Sequence, residues 1–152
     1  MKNLLFLLLL LCFSTALFSQ ETGSTYDEKL AKSLNADERG MKKYVFCLLK
    51  TGSNTTATKE ESQKLFEGHM TNIGRLAKEG KLVLAGPFMK NDRNYRGIYI
   101  FNASTIEEAK EFVATDPAVQ SNLLEAELTL WYGTAALQET LKIHEKIAKT
   151  KI

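Results

Sequence analysis

The sequence is poor in the residues that form disulfides, metal centres and nucleophilic sites. Its 152 residues include only two cysteines, two histidines and two prolines. It contains no CxxC pair, no HExxH and no GxSxG motif, so it carries none of the signatures of a structural zinc site, a zinc protease or a nucleophile elbow. A closed metal site would need carboxylates from distant parts of the chain. We therefore predict neither a metal nor a cofactor.

Long apolar runs are also missing, except at the N-terminus. Lys2 precedes an apolar run over residues 4–13, and small residues follow over residues 14–19. This order is typical of a secretory signal peptide, and the run is too short to span a bilayer comfortably. We expect residues 1–19 to be removed and the mature chain to be exported, either periplasmic or secreted. After removal of the signal peptide, the sequence predicts no membrane association.

The mature chain would have little net charge and one thiol. The full sequence has 20 basic and 18 acidic side chains, and cleavage removes Lys2 and Cys12. A balanced surface argues against a nucleic-acid partner. With Cys47 alone, no internal disulfide can form, so the fold must rest on its core and its assembly. Because Cys47 lies in an apolar strand, we interpret it as a small core residue.

Periodic apolar segments indicate one α+β domain over residues 43–133. A polar lead-in, residues 20–42, contains a short helix, and a helical tail covers residues 134–152. The predicted strands are 42–50, 81–85, 96–102 and 125–132, and the main helices are 59–79 and a second one that starts at 104–105 and ends at 115–117. This β-α-β-β-α-β order is the ferredoxin-like pattern, a four-stranded antiparallel sheet with both helices on one face.

The first and third strands are apolar on both faces, as expected of the central strands of such a sheet. Two helices cover only one face, so the other face would expose large apolar side chains. The simplest partner for that face is a second copy of the chain, related by a two-fold axis. We therefore predict a homodimer through the open face of the sheet.

One histidine lies within the apolar face of the first main helix. At 100° per residue, Phe66, Met70, Ile73 and Ala77 form one stripe, and Leu65 and Leu76 extend it to one side. His69 falls inside this wider arc, between Ile73 and Leu76. A buried imidazole needs a hydrogen-bond partner. The rest of the chain must supply that partner.

The ordered segments of the core resemble the YciI-like (YCII-related) proteins of the dimeric α+β barrel superfamily. The segments that carry the resemblance are KYVFCLLK, HMTNIGRLAKEG, KLVLAGPF, RGIYIF and TDPAV. The resemblance implies a homodimer with stacked sheets and a pocket between sheet and helices. It also implies a histidine–aspartate active site, which falls on His69 and Asp116. Where family members often carry a large residue after the Asp-Pro pair, this chain has Ala118, which predicts a wider pocket.

The histidine–aspartate pair has a chemical and a structural interpretation. A carboxylate beside an imidazole selects its tautomer and raises its basicity, so His69 would act as a general base or acid, with Asp116 as its partner. In the structural interpretation, Asp116 caps the turn at Pro117 and His69 is a satisfied core histidine. The Gly86-Pro87 corner is a further candidate for the pocket, because glycine lets the backbone approach a ligand.

Three classes of function remain open at this stage. The first is a small lyase- or isomerase-like enzyme that moves a proton on a small organic or aromatic acid. The second is a non-catalytic binder of a small-molecule ligand, and the third is a structural dimeric domain. Contact between His69 and Asp116 in an open pocket favours the first two classes. Separation or full burial of the pair favours the third.

Overall fold

The computed structural model describes residues 25–150. The predicted signal peptide, residues 1–19, lies outside the described residues. Within residues 25–150, no helix has the combination of length and apolar character that a bilayer crossing requires.

The described chain follows the predicted order of elements. A short helix, α1 (Glu28–Ser33), precedes the sheet domain and confirms the predicted helix of the lead-in. The elements of the domain are β1 (Met41–Thr51), α2 (Lys59–Lys78), β2 (Leu82–Pro87), β3 (Tyr95–Phe101), α3 (Ile106–Val113), α4 (Pro117–Gln120) and β4 (Leu124–Thr134). A 3-10 turn (Ala135–Glu139) and helix α5 (Thr140–Ile147) follow.

The four strands form one antiparallel sheet in the order β2-β3-β1-β4. The first and third strands are central, so the α+β, ferredoxin-like prediction is confirmed. Residues of α2 and α3 pack into the same core cluster, which places both helices on one face of the sheet. Val45, Cys47 and Phe101 of the central strands are fully buried in that core. Cys47 is therefore a core residue, as its position in an apolar strand predicted.

Helix α2 begins and ends where the sequence predicts. The Thr58 hydroxyl accepts from the Glu61 amide, and the Glu61 carboxylate accepts from the Thr58 amide, which together form a capping box. Gly80 follows the helix with φ +71°, a conformation that glycine adopts without strain. The helix ends there because its last carbonyls accept hydrogen bonds from amides in this turn.

The buried face of α2 is rotated relative to the predicted stripe. Its buried residues are His69, Asn72 and Leu76, whereas Met70 is 43% exposed. The prediction that Met70 lies in the stripe is therefore wrong. Helix α2 buries the face that contacts α4 and the sheet. His69 lies on that face, whereas the more apolar Met70 does not.

The C-terminal segment covers one corner of the open sheet face. Tyr44, Val83 and Ile100 form a second buried cluster there, and Leu137 packs against it. The segment starts as a 3-10 turn rather than the predicted continuous helix. In that turn the carbonyls of Thr134 and Ala135 accept from the Tyr44 hydroxyl at 3.1 and 3.4 Å. The segment therefore occupies part of the face that the sequence assigned entirely to a second copy.

The remainder of the open face is less well covered. Phe46 also packs against the corner cluster, but it is only half-buried, as are Leu48 and Ile98. His144, which the sequence places in line with the apolar residues of the tail, is exposed. It therefore contributes nothing to this cluster.

Candidate functional site

The partner that His69 requires is Asp116. Nδ1 of the imidazole lies 2.8 Å from Oδ2 of the carboxylate, although the two residues are 47 positions apart. His69 comes from the middle of α2, and Asp116 from the turn between α3 and α4. The two meet because α2 packs directly against α4. The structure thus brings together the two residues that the sequence paired.

Asp116 is held in place by local structure as well as by the histidine. It is the N-cap of α4, where Oδ1 accepts from the Ala118 amide at 3.0 Å. Pro117 at the first position of the helix restricts the backbone, a position that proline favours. The carboxylate is completely buried. Oδ1 therefore caps α4, and Oδ2 contacts the histidine. Asp116 thus has both the capping role of the structural interpretation and the histidine contact of the chemical one.

Tyr99 is a third member of the cluster that the sequence analysis missed. Its hydroxyl donates to Oδ2 of Asp116 at 3.0 Å, and its ring stacks on the imidazole with centroids 5.9 Å apart. The hydroxyl oxygen is also 3.2 and 3.3 Å from the two ring nitrogens of His69. Alternation along β3 already placed Tyr99 on the same face as Phe101. A tyrosine hydroxyl on that buried face needs a polar partner, and this was the available signal.

The electrostatics of the cluster favour an ionised Asp116. Burial acts to raise its pKa, but the hydrogen bond and charge of His69, followed by hydrogen bonds from Tyr99 and Ala118, outweigh burial and lower the pKa. An ionised carboxylate only accepts hydrogen bonds, so Nδ1 of His69 carries the proton between them. The single proton of the Tyr99 hydroxyl also points to Asp116. Nε2 is then the histidine nitrogen that remains for other chemistry.

The two other titratable groups near Asp116 stay neutral. Burial, then the Asp116 charge and hydrogen bond, raise the pKa of Tyr99 far above its usual value. Burial, then the charge of Asp116, raise the pKa of the Cys47 thiol to about 12. A thiol with so high a pKa is a poor nucleophile. Tyr99 therefore acts as a neutral hydrogen-bond donor, and Cys47 as a packed apolar group.

A polar network anchors the turn that precedes Asp116. The Thr115 hydroxyl donates to Oδ1 of Asn72 at 3.0 Å, and the Arg75 guanidinium donates to both residues at 2.8 Å. Arg75 also pairs with Glu79. Nδ2 of Asn72 is buried without a hydrogen-bond partner in the described part of the chain. These hydrogen bonds join Asn72 and Arg75, which follow His69 along α2, to Thr115 at the end of α3.

Gly68 permits the close packing of α2 on α4. A Cβ at this position would lie 3.0 Å from Cγ of Pro117, tighter than most Cβ contacts. Pro117 is therefore the residue that packs against Gly68. Outside this contact lies a groove of about 680 Å³. The residues that line it are Asn54, Thr56, Ala57, Glu61, Lys64, Leu65, Gly68 and Pro117.

The other predicted pocket residues lie away from that groove. Gly86 and Pro87 form the end of β2 and pair with Ile98 and Gly97 of β3, so they do not line it. Ala118 is fully buried in the main core. The expectation that its small side chain widens a pocket is therefore wrong for this groove. Within residues 25–150, no group of three or more His, Cys, Asp or Glu side chains is arranged to hold a metal ion.

Comparison with known proteins gives a family match and similarity to solved structures. The sequence profile of the YCII-related domain matches residues 44–131. No match was found among curated proteins. Among solved structures, the chain is similar to 5-chloro-2-hydroxyhydroquinone dehydrochlorinase (TftG) from Burkholderia phenoliruptrix AC1100, in complex with 2,5-dihydroxybenzoquinone. The identity is 18% over 57% of this chain and 92% of that chain, with a TM-score of 0.42.

Proposed function

The chain belongs to the YCII-related domain family, and we propose that it is a small enzyme that uses His69 to move a proton on a small organic or aromatic acid. The reaction would be of the lyase or isomerase type. The observation that carries the proposal is the 2.8 Å hydrogen bond between His69 and Asp116. Imidazole is the side chain best suited to proton transfer near neutral pH.

The roles of the three side chains follow from where their protons lie. Asp116 accepts the Nδ1 proton and selects the tautomer that leaves a lone pair on Nε2. When Nε2 takes a proton from the substrate, the carboxylate stabilises the imidazolium that forms. Tyr99 donates to the same carboxylate oxygen and limits the rotation of both groups. His69 is the catalytic residue in this proposal, whereas Asp116 and Tyr99 are positioning residues.

Burial of the cluster supports a second candidate, a structural or binding domain without catalysis. Asp116 is fully buried, Tyr99 is 2% exposed and His69 is 9% exposed. A buried histidine whose aspartate also caps a helix can serve stability alone. The two candidates differ in one respect that can be tested, which is whether a substrate reaches Nε2.

A substrate screen separates the two candidates. The mature chain is incubated with small organic and aromatic acids, and substrate loss is followed by mass spectrometry and proton NMR. Deuterium uptake from D₂O at an acidic carbon would report proton transfer even without net conversion. Exchange or turnover that requires His69 supports the enzyme. Absence of both across the panel supports the structural candidate.

We also propose a homodimer through the part of the open face that Leu137 leaves uncovered. Phe46, Leu48 and Ile98 are half-buried apolar residues there, and burial against a second copy would remove them from water. Sedimentation at micromolar concentration is expected to give a dimer. Phe46→Glu should shift the chain to monomer. Met89→Glu, in the turn after β2 and 88% exposed, should remain dimeric.

A monomeric wild-type chain at micromolar concentration would contradict the dimer. A Phe46→Glu variant that stays fully dimeric would show that the interface lies elsewhere on the chain.

Export is the third part of the proposal. The mature chain is expected to begin near Gln20, outside the cytoplasm, because residues 1–19 have the pattern of a signal peptide. Mass spectrometry of the chain purified from its own host checks this. Recovery of the intact N-terminus from Met1 would contradict export by this route.

A further inference from the structure

Arg96 packs against Phe66, a ring that in turn contacts His69. It sits in β3 directly before the buried Gly97 and is exposed. Its Cζ lies 5.8 Å from the centroid of the Phe66 ring. No carboxylate forms an ion pair with it among residues 25–150, where the ion pairs involve other cations. A guanidinium that rests on a ring face keeps its in-plane N–H donors available for an anion.

Phe66 connects this cation to the histidine. The Phe66 and His69 rings meet edge to face, with centroids 5.8 Å apart. Asp116 and Tyr99, which also contact the imidazole, are buried, whereas Phe66 is half-buried. Phe66 therefore links the imidazole to the surface. Arg96, Phe66 and His69 thus form a continuous row from the surface to the imidazole.

Arg75, a second cation near the cluster, is already engaged. Arg75 donates to Asn72, Thr115 and Glu79. Its donors serve the fold, so a ligand would have to displace them. Arg96 has no such engagement in the described chain, which makes it the better candidate for binding an anion from solution.

We propose that Arg96 binds the anionic group of the organic acid on which His69 acts. The inference rests on the proposed function for the role of His69 and adds the residue that selects the substrate. Since the Phe66 ring lies between the guanidinium and the imidazole, the acid must be long enough to pass along that ring. An aromatic carboxylate extends further along the ring than acetate does, so it is the favoured class of ligand. An Arg–carboxylate pair also supplies two parallel hydrogen bonds that orient the ligand.

A binding titration tests the inference without requiring turnover. Benzoate, acetate and the neutral benzyl alcohol are each added to the ¹⁵N-labelled mature chain, and the His69 imidazole signals are followed by NMR. Benzoate is expected to shift these signals, while acetate and benzyl alcohol at equal concentration leave them in place. Arg96→Gln should weaken benzoate binding by roughly 10-fold or more, the effect of losing a charge-assisted hydrogen bond.

Arg93→Gln is the matched control. Arg93 is exposed in the turn between β2 and β3, and no side-chain contact of its own ties it to the row. This variant should bind benzoate like the wild type. Equal affinity of the two variants would overturn the inference, as would a shift of the His69 signals by benzyl alcohol as large as that by benzoate.

The outcomes also separate this inference from the proposed function. Benzoate binding that depends on Arg96, with no turnover of any acid, would support the inference and contradict the enzyme. Turnover of organic acids that is unaffected by Arg96→Gln would support the enzyme and overturn the inference.

Discussion

His69→Gln is expected to abolish the turnover or deuterium exchange of any organic acid that the wild-type chain processes. Glutamine has a similar reach and can still donate to Asp116, so the fold should persist. It has no nitrogen that takes up a proton near neutral pH. A positioned acid or base typically contributes roughly 10²–10⁴-fold to a rate, and a loss of this size in kcat is expected. The measurement is exchange or turnover under saturating substrate.

The second histidine provides a matched control for this experiment. His144 lies on α5, is exposed, and contacts neither Asp116 nor Tyr99. His144→Gln should leave the rate unchanged. A His69→Gln variant that retains most of the wild-type rate would refute the role of Nε2, and the cluster would then be a structural element.

Asp116→Ala is expected to cause the largest loss of stability of any change in the cluster. It leaves Nδ1–H of His69, the Tyr99 hydroxyl and the Ala118 amide without the acceptor that they share. All three surround a completely buried position. Leaving a buried donor without its acceptor typically costs about 1–3 kcal/mol, and three donors lose their acceptor here, so the expected loss is roughly 3–5 kcal/mol. Urea unfolding followed by circular dichroism should show a loss of about this size.

Asp27→Ala separates the capping role from the buried pair. Asp27 is also a helix N-cap, with its carboxylate accepting from the Leu30 amide at 2.9 Å, but it is exposed. Loss of a cap alone costs about 1 kcal/mol. If Asp116→Ala costs no more than Asp27→Ala, Asp116 is a cap and its contact with His69 adds nothing.

The contribution of Asp116 should also depend on pH. Its folded-state pKa is lowered, which means that the folded state favours the ionised form. Stability from such a group is fully present above the unfolded pKa of about 3.9 and is lost as the pH falls through the folded pKa. The difference in unfolding free energy between wild type and Asp116→Asn should therefore shrink below about pH 4. A difference that grows on acidification would contradict an ionised Asp116.

Local signals in the sequence were sufficient for most element boundaries. Thr58 and Glu61 form the predicted capping box because its two hydrogen bonds join residues three positions apart. Alternation along β1 and β3 predicted that both are central, since only strands covered on both faces carry apolar residues at every position. These features depend on neighbouring residues and can be read directly from their order.

The rotation of α2 could not be derived in the same way. Hydrophobicity alone favours Met70 over Asn72, yet Met70 is exposed and Asn72 is buried. Asn72 is buried because Thr115 and Arg75 supply partners for its carbonyl oxygen. A polar residue becomes acceptable in the core only when a distant segment satisfies it, and periodicity carries no information on such a segment.

The sequence by itself determined the order of the elements, the ferredoxin-like topology and the pairing of His69 with Asp116 through a family resemblance. Only the tertiary structure decided that Tyr99 completes the cluster and that the tail covers a corner of the open face. It also placed Arg96 on Phe66, the ring that contacts His69. The order of elements and the topology follow from periodicity and local capping, which act over a few residues, whereas the pairing came from the resemblance alone. The second set, decided by the tertiary structure, depends on contacts between segments at least 17 positions apart, which form only when the helices and the tail pack on the sheet.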